Sequence, residues 1–133
     1  MIIAIDFDGT IVDHCFPDVG APVPGALYWM KRFKELGAQL ILWTMRSNDR
    51  EKNGSVLTDA VKYCESNSVT FIGVNQNPNQ HRWTSSPKVY AHIYIDDAAL
   101  GCPLHENPRM GGRPYVDWDA VGPAVEKRLL EGK

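Results

Sequence analysis

The sequence predicts an α/β protein of three layers, a parallel Rossmann-like sheet with helices on both faces, and three observations carry that prediction. Short apolar runs recur along the chain at residues 2–5, 39–44, 69–74 and 90–95. Amphipathic helical patterns stand between and after them, and strands alternating with helices imply right-handed crossovers and parallel pairing. Three of the runs close on acids or a hydroxyl, where the strand ends of open α/β sheets place their ligands. With 133 residues, 44% of them hydrophobic and 23% charged, the chain fits one domain over its whole length.

Ile2, Ile3, Ala4 and Ile5 are β-prone and lack polar alternation, so they read as a strand buried on both faces. Asp6 falls at its end, Asp8 lies on the same side with Phe7 opposite, and Gly9 turns the backbone away. Residues 13–24 read as an irregular excursion. Pro24 suits the first turn of a helix in which Ala26, Leu27, Met30, Phe33 and Leu36 recur until Gly37 ends it. QLILWT at 39–44 is the second strand. Asn53 or Ser55 caps a helix carrying Val56, Leu57, Ala60, Val61 and Cys64 on one face and ending near Asn67.

The third strand is 69–74, followed by a polar loop at 75–87. The fourth, 90–95, places Ala91, Ile93 and Ile95 on one face and His92 and Tyr94 on the other, with His92 expected as a satisfied buried histidine. After a loop at 98–114, Tyr115 and Val116 suit a short fifth strand. A last helix runs from about Asp117 to Leu130, by Trp118, Val121, Val125 and Leu129.

The N-terminal apolar run is too short for a signal-peptide core or a membrane span, so a cytoplasmic protein without membrane contact is expected. Cys15, Cys64 and Cys102 are odd in number and widely spaced, which suits a reducing compartment. Zinc on His14, Cys15, Cys102 and His105 is a weaker alternative use of the thiols, since neither pair is a CxxC. A net charge of -2 argues against nonspecific nucleic-acid binding.

Two carboxylates as close as Asp6 and Asp8 repel each other unless a cation or a shared proton relieves them. In a parallel sheet every strand end reaches one rim, so Asp6, Asp8, Thr44, Asp96 and Asp97 converge there, and Lys88 can approach from the segment before the fourth strand. Acids, a hydroxyl and an ammonium facing one crevice suit a phosphoryl group held by a divalent metal. Oxygen ligands favour magnesium. Phosphate monoesters react so slowly unaided that the site must supply positioning, charge neutralisation and a nucleophile. A carboxylate can serve, forming an acyl phosphate.

The ordered set DFDGT at 6–10, LILWT ending at Thr44, Lys88 in SSPKVY and IYIDD ending at Asp96 and Asp97 resembles the four motifs of the haloacid dehalogenase (HAD) superfamily of phosphohydrolases. The resemblance spans the first hundred residues. It implies a HAD-like fold, with Asp6 as nucleophile and Asp8 as the acid that protonates the leaving oxygen and later deprotonates water. Thr44 would hold a phosphate oxygen and Lys88 would neutralise the transferring group. Magnesium would sit between Asp6, the Asp8 backbone carbonyl and Asp96, with Asp97 direct or through water. Large substrate-covering caps in relatives are inserted where this chain has room for little beyond a helix and a strand, so a single capless hydrolase domain is expected for residues 1–133.

An open site of this kind admits a phosphorylated small molecule, a nucleotide or an oligonucleotide end, or is closed by its own loops at 75–87 and 98–114 or by a second copy in a homo-oligomer. Arg46, Arg50, Lys52, Arg82, Arg109 and Arg113 lie on rim loops and suit a second anionic group. Arg46 is the leading substrate contact, with Arg82. Trp83 either stacks on a base or pins its loop to the body. A phosphotransferase with the same intermediate, and a non-catalytic binder of a phosphorylated ligand, are the alternatives to hydrolysis.

Overall fold

The computed structural model describes residues 1–49 and 54–132. Strands β1 (Ile2–Ile5), β2 (Gln39–Leu42), β3 (Gly73–Val74) and β4 (Ile93–Ile95) form a parallel sheet in the order β3-β2-β1-β4. Helices α1 (Ala26–Glu35), α2 (Val56–Ser66) and α3 (Trp118–Glu131) accompany it. A separate antiparallel pair, β5 (Leu104–His105) and β6 (Tyr115–Val116), makes the expected fifth strand part of a small hairpin instead of the main sheet.

Alternation decides what each face of the sheet meets. Ile3 and Ile5 of β1, Leu40 and Leu42 of β2, and Ile93 and Ile95 of β4 share one core with Met30 and Phe33 of α1, Ala60 and Cys64 of α2, and Val121, Val125 and Leu129 of α3. All three helices therefore serve one face. The opposite face, Ala4 and Ile41, meets Val89 and Ala91 from the segment ahead of β4, with Ile72 and Trp43 beside them. This corrects the expectation of helices on both faces. The second face is covered by the 75–91 segment, in which only Gln80–Arg82 forms a single 3-10 turn.

That segment is held by buried amides in place of a helix ladder. Gln80 accepts from the Tyr90 backbone N–H at 2.7 Å and donates to the Ser86 and Lys88 carbonyls, while Asn77 donates to the Tyr90 carbonyl. The two side chains do what backbone pairing does in a regular element. Outside this anchorage the chain alternates, with Lys88, Tyr90, His92 and Tyr94 exposed and Val89, Ala91, Ile93 and Ile95 buried. His92 is thus on the outer face and not a core histidine; its Nδ1 accepts from the Ile2 N–H at 2.9 Å.

Helix ends also differ from the sequence reading. At the start of α2, Ser55 makes no capping bond through its side chain; Asn48 Oδ1, from the preceding loop, accepts from the Leu57 and Thr58 amides. Asn53, the other expected cap, lies outside the described residues, as do Arg50 and Lys52. Asp117 caps α3 by accepting from Asp119. Gly122 lets α3 approach α1, because a Cβ there would sit 2.2 Å from the Trp29 ring. Among the described residues no helix is long and apolar enough to cross a membrane.

Candidate active site

Register brings the strand ends level. Ile5 pairs with Leu42 on one side and Ile95 on the other, and the ladder runs one step further through Asp6 N–H to the Ile95 carbonyl and Trp43 N–H to the Ile5 carbonyl. The residues that follow leave the sheet together and line a cleft of about 370 Å³. Its floor holds Asp6, Asp96 and Asp97, whose nearest carboxylate oxygens all lie within 4.8 Å of one another.

Burial is the largest influence on Asp6, and the Asp96 and Asp97 carboxyls beside it add to it. Together they push its carboxyl up to about 8, against a smaller opposite pull from the Thr10 hydroxyl. Burial and the neighbouring Asp97 also raise Asp96, the Ala98 amide opposing them. Asp6 thus resists ionisation near neutral pH unless positive charge joins it. Three hard oxygen donors on one spot fit a divalent cation of the magnesium or manganese kind.

Thr10, fully buried, links two of the three, Asp6 and Asp97. Its hydroxyl donates to Asp6 Oδ2 at 3.1 Å and accepts from the Asp97 N–H at 3.3 Å, while its carbonyl receives the Trp118 indole N–H at 2.8 Å. Gly9 takes φ +83 and its carbonyl accepts from Val116 N–H, so the C-terminal elements bolt onto the turn after β1. A Cβ on Gly9 would lie 2.2 Å from His14 Nε2 and 2.6 Å from Asp97 Oδ2. His14 Nε2 stands 3.1 Å from Asp97 Oδ2, yet the ring is not aligned to hydrogen-bond it, and this buried nitrogen has no hydrogen-bond partner.

Asp8 also lines the cleft, but its charge is answered separately. Arg46 donates Nε to Asp8 Oδ2 at 2.9 Å and Nη2 to Oδ1 at 2.8 Å, a bidentate pair. Its remaining donors reach the Pro17, Val56 and Asp18 carbonyls, so all five N–H groups are used. The guanidinium lies between the Phe7 and Phe16 rings, 4.9 and 5.2 Å from their centroids, and the residue is 2% exposed. The relief expected between Asp6 and Asp8 is therefore divided: Arg46 serves Asp8, and Asp6 is left with its own acidic neighbours. Arg46 has no donor left for a substrate and acts as a brace.

Thr44 is placed as expected. It lines the cleft, its N–H donates to Asn75 Oδ1 at 2.8 Å, and its hydroxyl oxygen accepts from Arg46 N–H, leaving the O–H to donate to a ligand. Asn75, with φ 56 just past β3, does more than begin the polar loop expected there; it fixes the Thr44 turn from β3's end.

Among solved structures, a conserved protein from Bacteroides thetaiotaomicron is similar at 30% sequence identity, over 96% of this chain and 91% of that one, with a TM-score of 0.73. The chain belongs to that protein's family. No protein-family model matches it. No curated protein matches it either.

In this family member three sequence-predicted site residues stand away from the cleft. Lys88 is exposed, its ammonium 5.9 Å from the Tyr94 ring centroid, and it does not line the cavity. The segment that carries it packs Val89 and Ala91 against the sheet's second face. Arg82 and Trp83 belong to the same segment; Trp83 packs edge-on against Tyr90, 5.4 Å between centroids, and stays largely exposed. Of the other basic rim residues, Arg109 donates to Asp13 at 2.9 Å and to the His14 carbonyl, and Arg113 lines the cleft. Burial opposes charge on Asp13, but Arg109, the His14 amide and Asn107 outweigh it and hold the carboxyl below its ordinary range. The four residues considered for zinc form no metal-holding group among the described residues, and the three cysteines are free.

Proposed function

We propose that the chain is a magnesium-dependent phosphomonoester hydrolase that works through an aspartyl phosphate on Asp6. The observation that carries this reading is the crowding of Asp6, Asp96 and Asp97, which leaves a carboxylate both deprived of neighbours it can ionise beside and open to a cleft. The resemblance to the HAD superfamily supports the same roles. In the first step Asp6 attacks phosphorus, the bond from phosphorus to the ester oxygen breaks, and that oxygen takes the Asp8 proton. In the second, water attacks phosphorus and returns a proton to Asp8, and the acyl phosphate breaks into Asp6 and inorganic phosphate. Thr44 donates its hydroxyl to a phosphoryl oxygen. Asp6, Asp96 and Asp97 would hold the magnesium ion, which would supply neutralising charge to the phosphoryl group and to the acids. Lys88 has no part in this scheme.

Asp8 can carry a proton only by releasing one of the two hydrogen bonds that Arg46 gives it. That lock favours a second reading, a protein that binds a phosphorylated ligand without turning it over. Phosphate release from a panel of aryl phosphates, sugar phosphates, nucleotides and phosphorylated oligonucleotides, with magnesium and with chelator, separates the two. Turnover that requires magnesium and vanishes in Asp6→Asn supports the hydrolase. Binding without turnover on any member decides for the second reading, and turnover that persists in Asp6→Asn removes the aspartyl phosphate.

A further inference from the structure

The outer cleft has a chemistry of its own. Beyond the acids, the cleft is lined by Phe16, Met45 and Ala98, which offer it apolar surface, and by His14, Thr44, Arg46 and Arg113. Phe16 is 50% exposed and Met45 98% exposed. One face of the Phe16 ring rests on the Arg46 guanidinium, which is itself held by five hydrogen bonds. The ring is thus a fixed platform whose remaining surface opens on the cleft, and Met45 is an unbranched, adaptable apolar chain beside it.

Arg113 is the free cation of this wall. Among the described residues its guanidinium makes no hydrogen bond or ion pair, whereas Arg46 has none of its donors spare and Arg109 is bound to Asp13. Its backbone is nevertheless fixed, because Asn107 Nδ2 bridges the Arg113 carbonyl at 3.0 Å and Asp13 Oδ1 at 2.7 Å. The floor repels any second anion, so Arg113 is where such a group finds a partner.

Resting on the reading of the floor as a phosphoryl site, we infer that the ligand is a small monophosphate whose organic part is a flat apolar ring carrying a second anionic group, with the ring on Phe16 and Met45 and the anion on Arg113. A polyol phosphate is disfavoured, since part of its hydroxylated surface would lie on Phe16, Met45 and Ala98 and lose hydration there. At about 370 Å³ the cleft is near the low end of small-molecule sites, room for a phosphate and one ring system.

The test is calorimetric binding of ethylphosphonate, benzylphosphonate and para-carboxybenzylphosphonate to the full chain with magnesium, for wild type, Phe16→Ser and Arg113→Gln. Both substituted side chains are exposed, and thermal unfolding checks that each variant is folded. In wild type the aryl group is expected to tighten binding about tenfold over ethyl, by apolar burial and ring stacking, and the carboxylate about tenfold more. Phe16→Ser should remove most of the first gain, and Arg113→Gln most of the second. Equal binding of the three probes, no binding of any, or a carboxylate gain that survives Arg113→Gln overturns the inference. Phosphate release from the matching phosphate esters keeps it apart from the hydrolase reading. Preferences in binding without release support this ligand class and remove the hydrolase; release without preferences does the reverse.

Discussion

Replacing Asp6 with asparagine should stabilise the metal-free protein while abolishing turnover, and the effect should grow with pH. The native carboxyl is raised from 3.8 to about 8, so between these values the native state binds a proton that the unfolded chain has released. Stability therefore falls as pH rises through that window and levels off above about pH 8. At pH 7 the linkage has a ceiling of about 4 kcal/mol, and relaxation and water in the open cleft bring the expected cost nearer about 2 kcal/mol. The asparagine carries no charge, keeps an oxygen to accept the Thr10 hydroxyl, and gains an amide that can donate to the facing acids. Urea unfolding of wild type and Asp6→Asn from about pH 5 to about pH 8, in chelator, should show the two curves diverging as pH rises. Millimolar magnesium should close the gap by stabilising wild type, most strongly at high pH, since a cation removes the reason for the raised carboxyl. A wild-type stability that is flat across this range in chelator, or an Asp6→Asn protein no more stable than wild type at the upper end, refutes the reasoning.

Arg46→Met should cost about 3–5 kcal/mol in urea unfolding, because it strands the Asp8 carboxylate and removes the donor to the Pro17, Asp18 and Val56 carbonyls; a loss under about 1 kcal/mol would mean that the brace contributes little. Arg46→Lys should recover only a part of this, since an ammonium cannot reproduce the bidentate fork. Gly9→Ala places a Cβ against His14 and Asp97 at a backbone conformation of φ +83, and should destabilise by roughly 2 kcal/mol or more and weaken magnesium binding in the same titration. A Gly9→Ala protein with wild-type melting and magnesium affinity would contradict the packing. Gln80→Ala removes the partner of the Tyr90 N–H and of two carbonyls, and about 2 kcal/mol should be lost. Faster amide exchange should be confined to the 75–92 segment, with β1 and β2 protected as before.

The sequence was most informative where local pattern and fold coincide. The apolar runs that close on Asp6, Thr44 and Asp96 are strands or lead directly from them, and because parallel pairing puts every strand end on one rim, their convergence follows from order alone. The helical periods of α1 and α2 predicted their buried residues, Met30 and Phe33 in one, Ala60 and Cys64 in the other, since a 3.6-residue repeat names the inward face before any partner is known. Even the outward alternation of Lys88, Tyr90, His92 and Tyr94 is written in the period of an extended chain, although the polarity of the flanking loop hid that its inner side covers a sheet face.

What tertiary structure alone decided is which charge answers which. Arg46 carries no local mark that distinguishes it from a rim arginine; its role comes from Asp8, Pro17, Asp18 and Val56 meeting around it from separate places in the chain. Lys88 stands at the right place in the order of motifs, but the amides of Asn77 and Gln80 dock its segment on the sheet's second face, and a side chain's reach is set by where its backbone is held. His14 and Arg113 enter the cleft, and Thr10 lies buried beneath it, because Gly9, Trp118 and the Asp13 bridge draw distant segments onto the turn after β1. Where the strands lie along the chain and which side of a helix turns inward are properties of short windows, so the sequence determined them; the order of strands in the sheet and the pairing of charges depend on distances between windows, which only the folded chain defines.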